Sequence, residues 1–209
     1  MKHIIMCGGG KHGFDIPRHL IKINGESLVK RTARLLKENG VSDEDIEIMT
    51  DSDYFDDLGI RVRKVTYDNN LWLSAFAFIY YNEPTCYIFG DVFFSPDAIK
   101  TIVETDTYDI EFFASAPPFD GRYPKRWAEP FALKVVREYH FASALKDTKE
   151  LYENFSAFKR EPIAWELWQV IKGTPLNIID YSNYTVINDY TCDIDEPKDV
   201  DWYNSRRFE

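Results

Sequence analysis

Apolar and polar positions alternate between two periods along this chain. The run His3-Ile4-Ile5-Met6-Cys7 is short, apolar and closed by Gly8-Gly9-Gly10, the pattern of a buried strand that ends in a sharp turn. From Glu26 to Glu38 the period becomes helical: Leu28, Val29, Thr32, Leu35 and Leu36 share one stripe, and Gly40 follows as a left-handed stop. Those residues predict an amphipathic helix packed on a sheet. Asp45 to Thr50 alternates Ile46 and Ile48 against acidic neighbours, and Arg61 to Val65 alternates less cleanly, which predicts a strand and a further, outer strand. Leu71 to Tyr81 is apolar and aromatic almost throughout, and its length predicts a buried helix. Thr85 to Phe89 has the bulk of a central strand covered on both faces. Ser95-Pro96 then supplies an N-cap and a first-turn proline for a helix through Ile99, Ile102 and Val103.

Strand and helix in this rhythm predict an open, mostly parallel α/β sheet in three α/β/α layers. The second half is less regular. Ile110 to Ala116 and Phe131 to Val136 read as strands, separated by a loop holding Pro117, Pro118, Gly121, Pro124 and Pro130 that suits a lid or pocket wall. Ala142 to Phe158 predicts one or two helices and Ile163 to Ile171 another, with Leu176 to Tyr181 and Tyr184 to Ile187 as final strands.

Composition narrows the picture. With 209 residues, 44% of them hydrophobic, the chain can bury a full core and is expected to form one domain. A net charge of −10 argues against a partner that is nucleic acid. No apolar run is long enough to span a bilayer and no signal-peptide layout precedes β-like sequence, so a soluble cytoplasmic protein is expected. The three cysteines, Cys7, Cys86 and Cys192, have no close pairing, which disfavours a disulfide framework or a zinc site.

In open α/β sheets ligands collect beyond the carboxyl ends of the strands. Three polar groups are predicted there: the glycine loop, Asp91 after the central strand, and Cys192-Asp193-Ile194-Asp195-Glu196-Pro197-Lys198-Asp199. The glycine loop lacks the Gly-Lys-Ser/Thr ending of an ATPase phosphate loop and does not open directly into a helix as a dinucleotide fingerprint does. Its basic company in an acidic chain, Lys11, His12, Arg18, His19 and Lys22, favours a polyphosphate.

These residues together resemble the nucleotidyltransferases of the glycosyltransferase-A type, which include the sugar-phosphate nucleotidylyltransferases and the choline-phosphate-like cytidylyltransferases. Gly8, Gly10, Pro17, Gly25 and Leu28 match the family's opening Gly-x-Gly, Pro-Lys and Gly-x-Pro-Leu pattern; His12 replaces its arginine and Arg18 its lysine. Gly90-Asp91 is similar to the family's metal-binding Gly-Asp, and Asp193-Ile194-Asp195-Glu196-Pro197-Lys198-Asp199-Val200 to its Asp-x-Asp-Thr-Pro-Glu-Asp-Leu.

The resemblance implies a Rossmann-like fold and a Mg2+-dependent enzyme that transfers a nucleoside monophosphate from a nucleoside triphosphate to a small phosphorylated acceptor. It makes Asp91 and Asp195 the metal ligands, with Asp193 expected to face away from Asp195 on an extended segment. Arg18 becomes the triphosphate contact, with Lys11 or Lys22 as compensating cations. Cys7, Gly8, Gly9, Gly10, His12 and Gly90 line the nucleotide, while His12 equally suits loop packing. Asn69, Asn70 and Ser74 resemble residues that precede the corresponding helix in cytidylyltransferases, which points to CTP. Lys125, Arg126, Trp127 and Glu129 are the candidate acceptor site, with residues 1–105 the nucleotide-binding half and 106–209 the acceptor-binding half and C-terminal ligand segment. Trp127, Trp165 and Trp168 suit the enclosure of an amine or a sugar face, with core or a homodimer surface as the default expectation. A glycosyltransferase of the same fold and a non-catalytic nucleotide-binding relative are the alternatives.

Overall fold

Each apolar run bounded by turn residues buries itself as a strand, and each helical stripe turns its apolar side to those strands. The computed structural model describes residues 1–8, 11, 13–67, 72–79, 83–117, 127–206 and 208. In chain order the strands are β1 (Lys2–Met6), β2 (Lys22–Ile23), β3 (Glu26–Ser27), β4 (Ile46–Thr50), β5 (Arg61–Lys64), β6 (Thr85–Phe89), β7 (Val92–Phe93), β8 (Ile110–Ala114), β9 (Pro130–Val135), β10 (Thr185–Val186) and β11 (Cys192–Asp193). The helices are α1 (Leu28–Glu38), α2 (Pro96–Glu104), α3 (Glu138–Phe155), α4 (Ala164–Lys172) and α5 (Pro197–Asn204).

Seven strands form the main sheet in the order β10-β8-β9-β6-β1-β4-β5. The β1–β4, β1–β6, β4–β5 and β8–β10 pairs are parallel, and β9 runs antiparallel to both of its neighbours. The mostly parallel sheet predicted from the strand–helix rhythm is therefore present. Both faces are covered. Tyr87, Leu133 and Phe112 sit in register on neighbouring strands and so share one face. There Tyr87 stacks on Phe141 of α3, centroids 5.6 Å apart, and Phe112 meets Trp165 and Trp168 of α4 at 5.0 and 5.6 Å. Lys134, the next residue on β9, points to the opposite face, where its ammonium donates to the Val103 and Thr105 carbonyls at the end of α2. A smaller apolar cluster of Ile23, Leu28, Phe93, Cys192, Ile194 and Tyr203 ties together the β2–β3 hairpin, the β7–β11 ribbon and α5.

The structure departs from the sequence pattern in four places. The helix predicted over Leu71 to Tyr81 is a 3-10 turn at Trp72–Phe76, with no helix over 77–79; Leu71, Tyr80 and Tyr81 lie outside the described residues. Its backbone is satisfied from outside: the Glu161 carboxylate accepts from the Trp72 N–H, and the Tyr87 hydroxyl donates to the Phe78 carbonyl at 3.1 Å. Leu176 to Tyr181 forms no strand because the Gln169 amide takes the Pro175 and Ile178 carbonyls in place of a ladder. The helix predicted from Glu26 begins at Leu28, because Asn24 (φ 52°) and Gly25 (φ 88°) turn a hairpin that makes Glu26–Ser27 a strand. In place of the helices predicted over 142–158 there is one helix, which starts earlier, at Glu138, and ends at Phe155.

Candidate active site

β1 lies between β4 and β6, so the chain leaves β1 in one direction and later returns to its other side. That change of direction opens a crevice at the carboxyl ends of β1 and β6. Antiparallel β9 begins at the same end, since Pro130 pairs with Ala114, the last residue of β8. Glu129, immediately before β9, therefore reaches the crevice from a third strand. Its backbone is clamped to Ser115: the Glu129 N–H donates to Ser115 Oγ at 2.7 Å, and the Ser115 N–H donates to the Glu129 carbonyl at 2.9 Å.

Asp91 follows β6 by two residues, and Gly90 between them has a steric reason to be glycine. A Cβ at Gly90 would sit 2.6 Å from the Met6 carbonyl oxygen and 2.8 Å from Cys7 Sγ. The Gly90 N–H instead donates to that carbonyl at 3.0 Å, carrying the β1–β6 contact one residue past the strands. The C-terminal carboxylates are delivered by pairing: Asp193 stands opposite Val92 in the β7–β11 ribbon, and the Ile194 N–H donates to the Asp91 carbonyl at 2.9 Å. Beyond Asp193 the ribbon stops. One oxygen of Asp199 accepts the N–H groups of Asp195 and Glu196 at 2.8 and 2.7 Å, capping α5 and turning the chain at Asp195.

Arg18 closes this end of the sheet. It opens a 3-10 turn after extended Pro17, and its guanidinium forks between two carboxylates: Nη2 lies 2.5 Å from Asp91 Oδ2, and Nη1 donates to Asp195. The Arg18 and Asp91 side chains are each 18% exposed and that of Asp195 is 52%, so the pair is sheltered at Asp91 and open at Asp195. Burial pulls the Arg18 pKa down, but the fields of Asp91, Asp195 and Asp193 outweigh it and raise it. Glu129 hydrogen-bonds with Asp193 and is pushed up to about 8 by burial and by the charges of Asp195 and Asp91. Burial and the field of Glu129 hold Asp193 well above the usual carboxylate range. Four acids thus face one guanidinium.

The crevice brings Arg18, Asp91 and Asp195 together, with Gly90 and the fully buried Cys7 beneath them. Burial and Asp91 push the Cys7 thiol up, so it stays neutral. Asp193 does not face away from Asp195: the two carboxylates share a hydrogen bond, because residues two apart on an extended segment project to the same side. Glu129, expected with the acceptor residues, sits among these acids. Lys11 is exposed, with its ammonium 5.6 Å from the Tyr54 ring centroid, and Lys22 is exposed on β2; neither forms an ion pair among the described residues. Gly8 lies near the Tyr67 hydroxyl, Ser74 is half-buried in the 3-10 turn, and Trp127 is exposed. Gly9, Gly10, His12, Asn69, Asn70, Lys125 and Arg126 fall outside the described residues. The sequence reading named Asp199 within the C-terminal motif but gave it no role, although its place in the first turn of a helix that begins at a proline was a signal; Ser115 it missed, since that contact is made only when β8 and β9 pair.

Three comparisons bear on this arrangement. No family model matches the chain, and no curated protein matches it. Solved structures do. A nucleoside-diphosphate-sugar pyrophosphorylase from Vibrio cholerae RC9 superposes with a TM-score of 0.61 at 13% identity, covering 99% of this chain and 100% of that one. The inositol-1-phosphate CTP transferase from T. maritima gives 0.56 at 18% identity over 95% and 90%. HddC from Yersinia pseudotuberculosis, complexed with GMP-PN, gives 0.53 at 14% identity over 98% and 99%. The chain shares their fold, a mixed α/β sheet flanked by helices.

Proposed function

We propose that this protein is a nucleotidyltransferase: it moves a nucleoside monophosphate from a nucleoside triphosphate, CTP by preference, to a small phosphorylated or phosphonylated acceptor and releases pyrophosphate. The observation that carries the reading is the convergence of Arg18, Asp91 and Asp195, from three distant parts of the chain, at the crevice between β1 and β6. The family resemblance of these same residues and the activities for which the structural neighbours are named support it.

An acceptor phosphate oxygen attacks the α-phosphorus while the bond to the β-phosphate oxygen breaks in line, so the protein's work is positioning and charge neutralisation. Arg18 has the planar fork to hold two phosphate oxygens and to oppose charge that develops on the leaving pyrophosphate. Gly90 keeps the backbone close to Met6 and Cys7, ahead of the proposed nucleotide loop, and Trp127, two residues from Glu129, would wall the acceptor, for which Lys125 and Arg126 are the phosphate contacts proposed from the sequence. The donor set fits Mg2+, a hard ion that takes one or two carboxylates with phosphate oxygens and water. Asp91 and Asp195 would hold the ion, which when bound neutralises triphosphate charge. The CTP preference rests on the likeness of Asn69, Asn70 and Ser74 to cytidylyltransferases.

Pyrophosphate release is the test, measured with each of the four nucleoside triphosphates, Mg2+ and a panel of acceptor phosphates. Release is expected with CTP and one acceptor class, falling at least about a hundredfold in Asp91→Asn. No release with any pairing, together with nucleotide binding unchanged in Asp91→Ala, would overturn the reading.

A further inference from the structure

The family's lysine is a compact point charge, whereas Arg18 is a planar fork that spans two carboxylates at the crevice. One guanidinium bridges two carboxylates that come from segments more than a hundred residues apart, contacting each through a different nitrogen. A single ammonium cannot present two diverging donors on a rigid plane in this way. The bridged carboxylates are the same two that would hold the metal. A divalent ion and a guanidinium therefore compete for one pair of acids, and a triphosphate offers the guanidinium an alternative set of oxygens.

We infer that Arg18 is an exchangeable counter-cation: without nucleotide it occupies Asp91 and Asp195 and weakens their hold on a divalent ion, and an arriving triphosphate draws it off so that metal and nucleotide bind together. The unequal exposure of the two ends suits exchange, since the Asp195 contact opens to solvent while the Asp91 contact stays sheltered. The backbone of Arg18 need not move, because the turn at Arg18–Leu20 is fixed by N–H donation from Leu20 to Pro17 at 2.9 Å and from Ile21 to Arg18 at 3.0 Å. Side-chain rotation alone carries the change. By linkage, metal must then raise nucleotide affinity by the factor by which nucleotide raises metal affinity.

This rests on the proposed nucleotidyltransferase reading, but its test requires no turnover. Mn2+ is titrated by calorimetry and electron paramagnetic resonance into the full chain, wild type, Arg18→Lys and Arg18→Gln, at fixed ionic strength with and without a non-hydrolysable CTP analogue. Without nucleotide, Arg18→Gln should bind Mn2+ about tenfold more tightly than wild type, with Arg18→Lys between them. The analogue should raise Mn2+ affinity severalfold in wild type and less in Arg18→Gln. Asp91→Asn should abolish Mn2+ binding. Thermal denaturation identifies a variant that fails to fold, and Arg18→Lys, which keeps the charge, then carries the comparison. Arginine variants that bind Mn2+ no better than wild type would overturn the inference, as would unchanged binding in Asp91→Asn. If affinities shift as stated but no triphosphate yields pyrophosphate, the counter-cation stands and the catalytic reading falls.

Discussion

At the scale of single residues, burial sets the chemistry of the ionisable groups. His3 is buried in β1, and burial, the Lys134 charge and the amino terminus lower its pKa from 6.5 to about 4. Between those values the unfolded chain holds a proton that the folded chain does not, so stability is full above about 6.5 and is lost as the pH falls towards about 4. Glu129 has the opposite sign. Its folded pKa near 8 exceeds the ordinary 4.5, so its contribution is full below about 4.5 and is lost as the pH rises towards about 8. The two slopes oppose each other where they overlap, and only variants separate them. In urea unfolding with a chelator present, His3→Gln should remove about 2–3 kcal/mol of acid-side loss between pH 6.5 and 4. Glu129→Gln should flatten the fall between pH 5 and 8. Profiles that parallel wild type would refute both assignments. The place of Asp91 and Asp195 beyond the strand ends is readable from residue type and order; the upward shift of Glu129 is not, because its causes, burial and the charges of Asp195 and Asp91, arise only when the chain folds.

At the scale of elements, local chemistry predicts ends better than extents. Ser95-Pro96 announces α2, and Ser95 Oγ does accept from the Ala98 N–H at 2.9 Å. Asn24-Gly25 carries a hairpin signal as plain, yet the helical stripe beginning at Leu28 masks it when residues 26–38 are read as one pattern. The aromatic run after residue 71 has no helical period to offer: its side chains pack on Phe89, Tyr87 and Phe141, and that packing, with the Glu161 carboxylate on its backbone, sets a 3-10 turn. The N-terminus of α5 matters to the site, since Asp199 anchors the backbone of Asp195 as well as capping the helix. Asp199→Ala should cost about 1–2 kcal/mol in urea unfolding and weaken Mn2+ binding in the presence of nucleotide. Asp199→Asn, which keeps one acceptor oxygen, should lose less. Loss of stability with metal affinity intact would separate the cap from the site.

At the scale of the whole molecule, the sheet order makes β1, β6 and β9 interior and leaves β5 and β10 as edges. Native-state hydrogen exchange should therefore protect the amides of β1 and β6 most and those of β5 and β10 least, and uniform protection would contradict this topology. Among the described residues no helix is long and apolar enough to cross a membrane, in keeping with the absence of long apolar runs. The sequence by itself determined the alternation of strands and helices, the central place of the apolar runs at residues 3–7 and 85–89, and the positions of Asp91 and Asp195 beyond strand ends, because burial and turn formation depend on neighbours within a few positions. Only the tertiary structure decided that Glu129 joins Asp193 and Asp195, and that Arg18 bridges Asp91 to Asp195. Those contacts depend on strand pairing between distant segments, and a guanidinium's partners are chosen by where the folded chain leaves carboxylates within its reach.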